Sequence, residues 1–129
     1  MVVADTSFMI DLMRDASHQT IVDELENDGS RVVLTAPTVM ELWRGAALGD
    51  CTEQERTKIA VLLEKLHVLE LDEGAAKQAG EIDAHLIQAG KRIDPEDVMI
   101  AGIAMSGSET VLTRDAHFTR IPGLRVLKY

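Results

Sequence analysis

The chain predicts an α/β domain built on a mostly parallel sheet. Short β-branched apolar runs read as strands, longer amphipathic runs between them read as helices, and the two kinds alternate along the whole length. The strand-like runs are Met1-Val2-Val3-Ala4, Val32-Val33-Leu34-Thr35, the alternating segment His67-Val68-Leu69-Glu70-Leu71, Thr110-Val111-Leu112-Thr113, and Arg125-Val126-Leu127. A length of 129 residues suits one domain, 1–129, with one core.

The helices follow in order. Thr6 or Ser7 is placed to cap a helix to about Arg14, with Phe8, Ile10, Leu12 and Met13 apolar. Ser17 is placed to cap a second, Gln19 to Glu26, with Ile21, Val22 and Leu25 inward. Asn27-Asp28-Gly29-Ser30 is a turn cluster. Pro37 suits the first turn of a helix that runs to about Leu48, with Glu41 one turn inside. Thr52 and Glu55 form a capping box for a helix to about Leu66, with Ile59, Leu62, Leu63 and Leu66 on one stripe. Asp72 to Gln88 is a further helix, stopped by Gly90. Pro95, Glu96 and Asp97 open the next, to about Ser106; Gly107-Ser108 breaks it, and Ala116 to Thr119 is a short turn.

Composition bounds the partners. Aromatic residues are only 3% of the chain, so the core is aliphatic. The formal net charge is −9, so any contact with nucleic acid must come from a local basic patch or a bound cation rather than from a global field. Cys51 is the only cysteine, which excludes an internal disulfide and a cysteine zinc site. The apolar start is too short for a signal peptide, and the run Val98 to Met105 falls short of the roughly 20 residues of a membrane helix. A soluble, cytoplasmic protein is expected.

Among the 22 acids, Asp5 stands out, because it ends a strand expected to be buried. A carboxylate beside a dry sheet is costly without a cation or hydrogen bonds. Its plain alternative is a cap on the following helix. Asp115 follows another strand, beside His117, and can equally be a turn residue. Asp97 lies at a helix start, as do Asp94 and Glu96, and local physics does not choose among the three; only the small apolar face that Asp97 shares with Ala101 and Ala104 favours it. Glu41 sits among Val39, Met40, Leu42 and Trp43 and reads equally as an exposed helix position. If Asp5, Asp97 and Asp115 converge, they make an oxygen-lined site for a hard divalent ion.

The four histidines, His18, His67, His85 and His117, have no ligand spacing, and His117 reads as a packing or surface residue. Lys91, Arg92, Arg114 and Arg44 lie closest in sequence to the acids and are expected to line the groove beside them, ordinary surface charge being the alternative. Trp43 and Phe8 read as core by default, or as residues facing a partner.

The segments Val3-Ala4-Asp5-Thr6-Ser7, Thr38-Val39-Met40-Glu41-Leu42, Asp97-Val98-Met99-Ile100-Ala101 and Leu112-Thr113-Arg114-Asp115 with Phe118, in this order, resemble a PIN domain of the small toxins of toxin–antitoxin modules, the VapC-like group. The resemblance covers essentially the whole chain. It implies a three-layer α/β/α sandwich and a Mg²⁺- or Mn²⁺-dependent endoribonuclease. Its acidic cluster maps onto Asp5, Glu41, Asp97 and Asp115, and its supporting hydroxyl onto Thr113, with Thr6 as a second; Asp94 is not the family position, and the family does not hold the position of Arg114 firmly. It also implies a homodimer and a cognate antitoxin.

Carboxylates with a divalent ion suffice for phosphodiester hydrolysis. Asp5 and Asp97 are the expected direct ligands, Asp115 completes the metal site directly or through water, and Glu41 would orient the attacking water or hold a second ion. One alternative is a phosphoacceptor receiver domain, which wants an adjacent acidic pair where Asp5 is followed by Thr6-Ser7. A phosphatase of the haloacid-dehalogenase type wants a second Asp where Ser7 stands. A catalytically silent PIN scaffold is the other alternative, and the complete acid set argues against it.

Overall fold

Each strand-length run is a strand, and all of them are parallel. The computed structural model describes residues 1–129. In chain order the elements are β1 (Val2–Ala4), α1 (Thr6–Arg14), a 3₁₀ turn (Ala16–His18), α2 (Gln19–Asn27), β2 (Val32–Thr35), α3 (Ala36–Ala47), α4 (Glu53–Lys65), β3 (Val68–Leu69), α5 (Glu73–Gln88), α6 (Pro95–Ser106), β4 (Thr110–Thr113), a second 3₁₀ turn (Ala116–Arg120) and β5 (Arg125–Lys128). The sheet order is β3-β2-β1-β4-β5. No helix is long and apolar enough to cross a membrane.

Side-chain alternation explains why the strands are apolar throughout. Val3, Val33 and Val111 point to one face, against Ala79, Ile82 and Leu86 of α5 and Ile100, Ala101 and Ala104 of α6. Val2, Ala4, Val32, Leu34 and Leu112 point to the other, against Phe8, Met9 and Met13 of α1, Val22 of α2, Leu42 and Ala46 of α3 and Ile59 of α4. The result is a three-layer α/β/α sandwich.

The order of strands creates the position of the site. The chain moves from β1 outward through β2 to β3, then returns to place β4 on the other side of β1, with Ala4 in register with Leu112. The crossovers therefore diverge between β1 and β4, and in an open parallel sheet the crevice at such a point, beyond the carboxyl ends of the strands, receives the ligand. Asp5 and Asp115 follow those two strand ends.

Several local expectations are corrected. Neither Thr6 nor Ser7 caps α1; Asp5 does, its Oδ1 accepting from the Phe8 N–H at 2.8 Å. Ser17 does not cap α2; it lies inside the 3₁₀ turn, which Asp15 caps by accepting from the Ser17 N–H at 2.9 Å. In both cases an acid one or two residues upstream offers a better acceptor to the free N–H groups of the first turn. Thr52 caps α4, but Glu55 turns outward to Arg14 instead of closing the box. The third strand is only Val68–Leu69. Phe8 is fully buried, whereas Trp43 is 57% exposed.

Helices α5 and α6 pack backbone to backbone at Gly102. A Cβ on Gly102 would sit 2.8 Å from the Ala75 carbonyl oxygen and 2.8 Å from the Ala79 backbone nitrogen. Backbone cannot yield as a side-chain tip does. Gly102→Ala is expected to destabilise the protein by about 1–2 kcal/mol despite alanine's better helix propensity. A fall in the urea midpoint checks this; an unchanged or higher midpoint would contradict the packing.

Candidate active site

Asp5 is 2% exposed. An unpaired carboxylate at such depth costs several kcal/mol, so its partners decide whether it is tolerated. Oδ1 takes the Phe8 N–H at the start of α1, and Oδ2 accepts from the Thr113 hydroxyl at 2.5 Å. The Thr113 oxygen in turn accepts from the Asp115 N–H at 2.9 Å. Asp5 is thus a helix cap and a buried acid at once. Burial raises its pKa; the bonds from Thr113 and Phe8 oppose this, and Asp115 and Asp11 add to it.

Glu41 comes from α3, one turn beyond the Thr35 cap. Its Oε1 accepts from the Thr6 hydroxyl at 2.7 Å, and Thr6 also contacts the buried Thr38 hydroxyl at 3.2 Å. Glu41 is half-buried and faces inward, not an exposed helix position. Its pKa is raised, first by burial and then by Glu96 and Asp94, against the lowering effects of Thr6 and Arg44.

Asp97 stands in the first turn of α6. It is pushed up to about 7, chiefly by burial, then by Glu41, Asp115, Asp5 and Asp94. The four predicted acids therefore repel one another across the crevice. Asp94, held in reserve, adds to the same field from the α6 N-cap, where it makes no capping bond.

Sequence reasoning passed over His117. One ligand atom each from Asp97, Asp115 and His117 lie within 4.8 Å of one another. The His117 Nδ1 is 3.2 Å from Asp115 Oδ1, which also accepts the His117 N–H. The signal was the short Asp115-Ala116-His117 spacing, which a 3₁₀ turn folds back on itself. Oxygen donors in mutual repulsion, with one nearby imidazole, fit a hard divalent ion.

The basic residues divide. Arg44 lies at the mouth, with Nη1 3.5 Å from Glu96 and Nη2 4.0 Å from Glu41. Arg92 and His117 share the lining of a cavity of about 450 Å³ with Ile93, Asp94 and Pro95, although Arg92 also pairs with Asp83 at 3.6 Å. Arg114 turns toward α1, where its Nε is 2.9 Å from Asp11 Oδ2, the oxygen that also accepts from the Tyr129 hydroxyl at 2.6 Å. Lys91 is exposed and makes no ion pair. The largest cavity, about 490 Å³ beside Met1, His67 and Glu109, lies away from the four acids.

A family model described as PIN domain matches residues 2–124. The chain is similar to a tRNA(fMet)-specific endonuclease VapC of Salmonella typhimurium, 37% identical over 98 residues, 75% of this chain and 74% of that protein. It is also similar to a DNA-bound VapBC structure from Salmonella typhimurium, with a TM-score of 0.83 and 31% identity over 98% of this chain and 96% of that one. A promoter-bound VapBC2 structure from Rickettsia felis, with a TM-score of 0.90 over 100% of this chain and 99% of that one, supports the fold, its identity being 22%.

Two outcomes follow from the electrostatics. Thr113→Val leaves a buried carboxylate oxygen without its donor and is expected to cost about 1–3 kcal/mol in chemical denaturation, with Thr113→Ser near neutral. Asp97 holds its proton to higher pH in the folded chain than in the unfolded one, so the metal-free protein loses stability as pH rises from the ordinary carboxylate range to about 7. Discounted for its partial exposure, Asp97→Asn is expected to raise the melting temperature by about 3–5 °C at alkaline pH and not at acid pH. Added Mg²⁺ should stabilise the parent and not the variant; equal pH profiles for the two proteins would contradict this.

Proposed function

The chain belongs to the PIN-domain family, and on that premise we propose that it is a divalent-metal-dependent endoribonuclease, the toxin of a toxin–antitoxin pair. The observation that carries this is the meeting of Asp5, Glu41, Asp97 and Asp115 at one sheet edge, in a chain 37% identical to a tRNA(fMet)-specific endonuclease over most of its length. The receiver-type signalling alternative has no support from the family match.

Asp97 and Asp115 would hold the ion, with Asp5 behind them. A bound Mg²⁺ or Mn²⁺ supplies charge neutralisation at the phosphate and an activated water. Thr113 fixes Asp5 and the Asp115 backbone together, so these acids have little freedom to turn away. His117 steadies Asp115 through its Nδ1 and its backbone N–H. Thr6 holds Oε1 of Glu41, leaving Oε2 toward the mouth to orient the attacking water. Arg44 and Arg92 would meet RNA phosphates, a reading supported by their positions beside the acids; Arg114 would do so only from its tether to Asp11, and Lys91 only by extending its exposed side chain.

The partner we propose is a cognate antitoxin; the related VapBC-5 structure from Mycobacterium tuberculosis, 30% identical, is a member of a family of toxin–antitoxin systems. Met40 and Trp43 on α3 and Leu48 at its C-cap, exposed at 43%, 57% and 69%, support a protein-binding surface beside the site. We extend the proposal to a homodimer in a soluble, cytoplasmic setting.

RNA cleavage with Mg²⁺ tests the reading. Asp5→Asn and Asp97→Asn should each lower the rate by at least about 100-fold, and chelation should abolish it. Equal cleavage by parent and variants would place the activity elsewhere.

A further inference from the structure

The geometry points to Arg44 as a built-in cation that fills one half of the acid site, so that the chain binds a single divalent ion and uses this guanidinium where a second ion would stand. The inference rests on the metal-dependent reading above.

The crevice has two unlike halves. In one, Glu41 and Glu96 face each other across α3 and α6, and the Arg44 guanidinium lies between them, 4.0 Å from Glu41 Oε2 and 3.5 Å from Glu96 Oε1. Arg44 reaches Glu41 because the two are three residues apart on α3 and share its face. Its Nη1 also lies 3.8 Å from the Met40 sulfur, which packs the stem along the helix. The remaining Glu41 oxygen is taken by Thr6. This half has its positive charge already, and another hard cation would stand against a guanidinium.

The other half is the reverse. Asp97, Asp115 and His117 bring ligand atoms within 4.8 Å of one another, and no lysine or arginine pairs with either acid. One half holds no cation of its own, and the other already has one guanidinium shared between its two glutamates. A planar guanidinium carries five N–H donors, more than two glutamates use, so donors remain for a phosphate oxygen. Arg44 is therefore a candidate catalytic residue, and Glu41 orients water rather than holding a second ion.

Counting bound Mn²⁺ on the full chain without RNA, by equilibrium dialysis and electron paramagnetic resonance, tests this independently of cleavage. One ion is expected for the parent and for Arg44→Lys, which keeps the charge, and two for Arg44→Ala. Arg44 is more than half exposed, so the variants should fold, and circular dichroism checks it. Two ions on the parent, or one on Arg44→Ala, would overturn the inference while leaving the nuclease reading intact. No binding to any of the proteins would remove the metal reading and this inference together. In cleavage, Arg44→Ala should lose about 10- to 100-fold at low Mg²⁺ and recover along a sigmoidal Mg²⁺ dependence, against a hyperbolic one for the parent.

Discussion

The hydrogen bond from Thr113 to Asp5 is the contact on which the site depends. It joins the end of β4 to the end of β1 across 108 residues of sequence, at the one place where the sheet's crossovers diverge. Its two groups each do a second job. Asp5 starts α1 through the Phe8 N–H, and Thr113 receives the Asp115 N–H. A helix start, two strand ends and two site acids are thereby fixed in one buried chain of bonds. Buried polar networks of this kind are stable only when every member is satisfied, and here both Asp5 oxygens have a donor. Loosening any link would leave a charge in an apolar layer, which holds the acids close despite their repulsion.

Much of this could be read from the residues. β1, β2 and β4 carry β-branched residues on both faces because helices cover both, and so they appear as continuous apolar runs rather than alternating ones. The helices declared themselves through period and through Pro37, Pro95 and Gly90. The acids were legible because carboxylates at strand ends and helix starts are conspicuous in an α/β pattern. What sequence did not settle was competition among near neighbours for one role. Asp5 outcompeted Thr6 and Ser7 as the cap of α1, because a charged acceptor satisfies a first-turn N–H better than a hydroxyl does, and Asp15 caps a 3₁₀ turn that takes in Ser17 and leaves α2 without a side-chain cap. His117 was hidden for a different reason: a 3₁₀ turn folds its ring back onto Asp115, and no spacing rule for metal-ligating histidines describes that return. Trp43 lies on the outer face of α3, where hydrophobicity alone suggests the core.

The charge arrangement also explains how an acidic chain could approach a polyanion. With a net charge of −9, it has no attractive field at long range. Its basic residues near the crevice are for the most part already engaged: Arg44 with Glu41 and Glu96, Arg92 with Asp83, and Arg114 with Asp11. Each pair is partly exposed and individually weak, so an RNA phosphate can compete for the arginine at modest cost. On the proposed reading, capture by such a surface would come from short-range exchange of partners rather than from counterion release over many phosphates, and affinity would then respond only mildly to salt. The same arrangement keeps the guanidinium groups oriented before RNA arrives. An arginine that must leave one carboxylate to meet a phosphate would discriminate in favour of ligands that reach the crevice itself, where Asp97 and Asp115, unpaired with any lysine or arginine, would draw in the proposed cation.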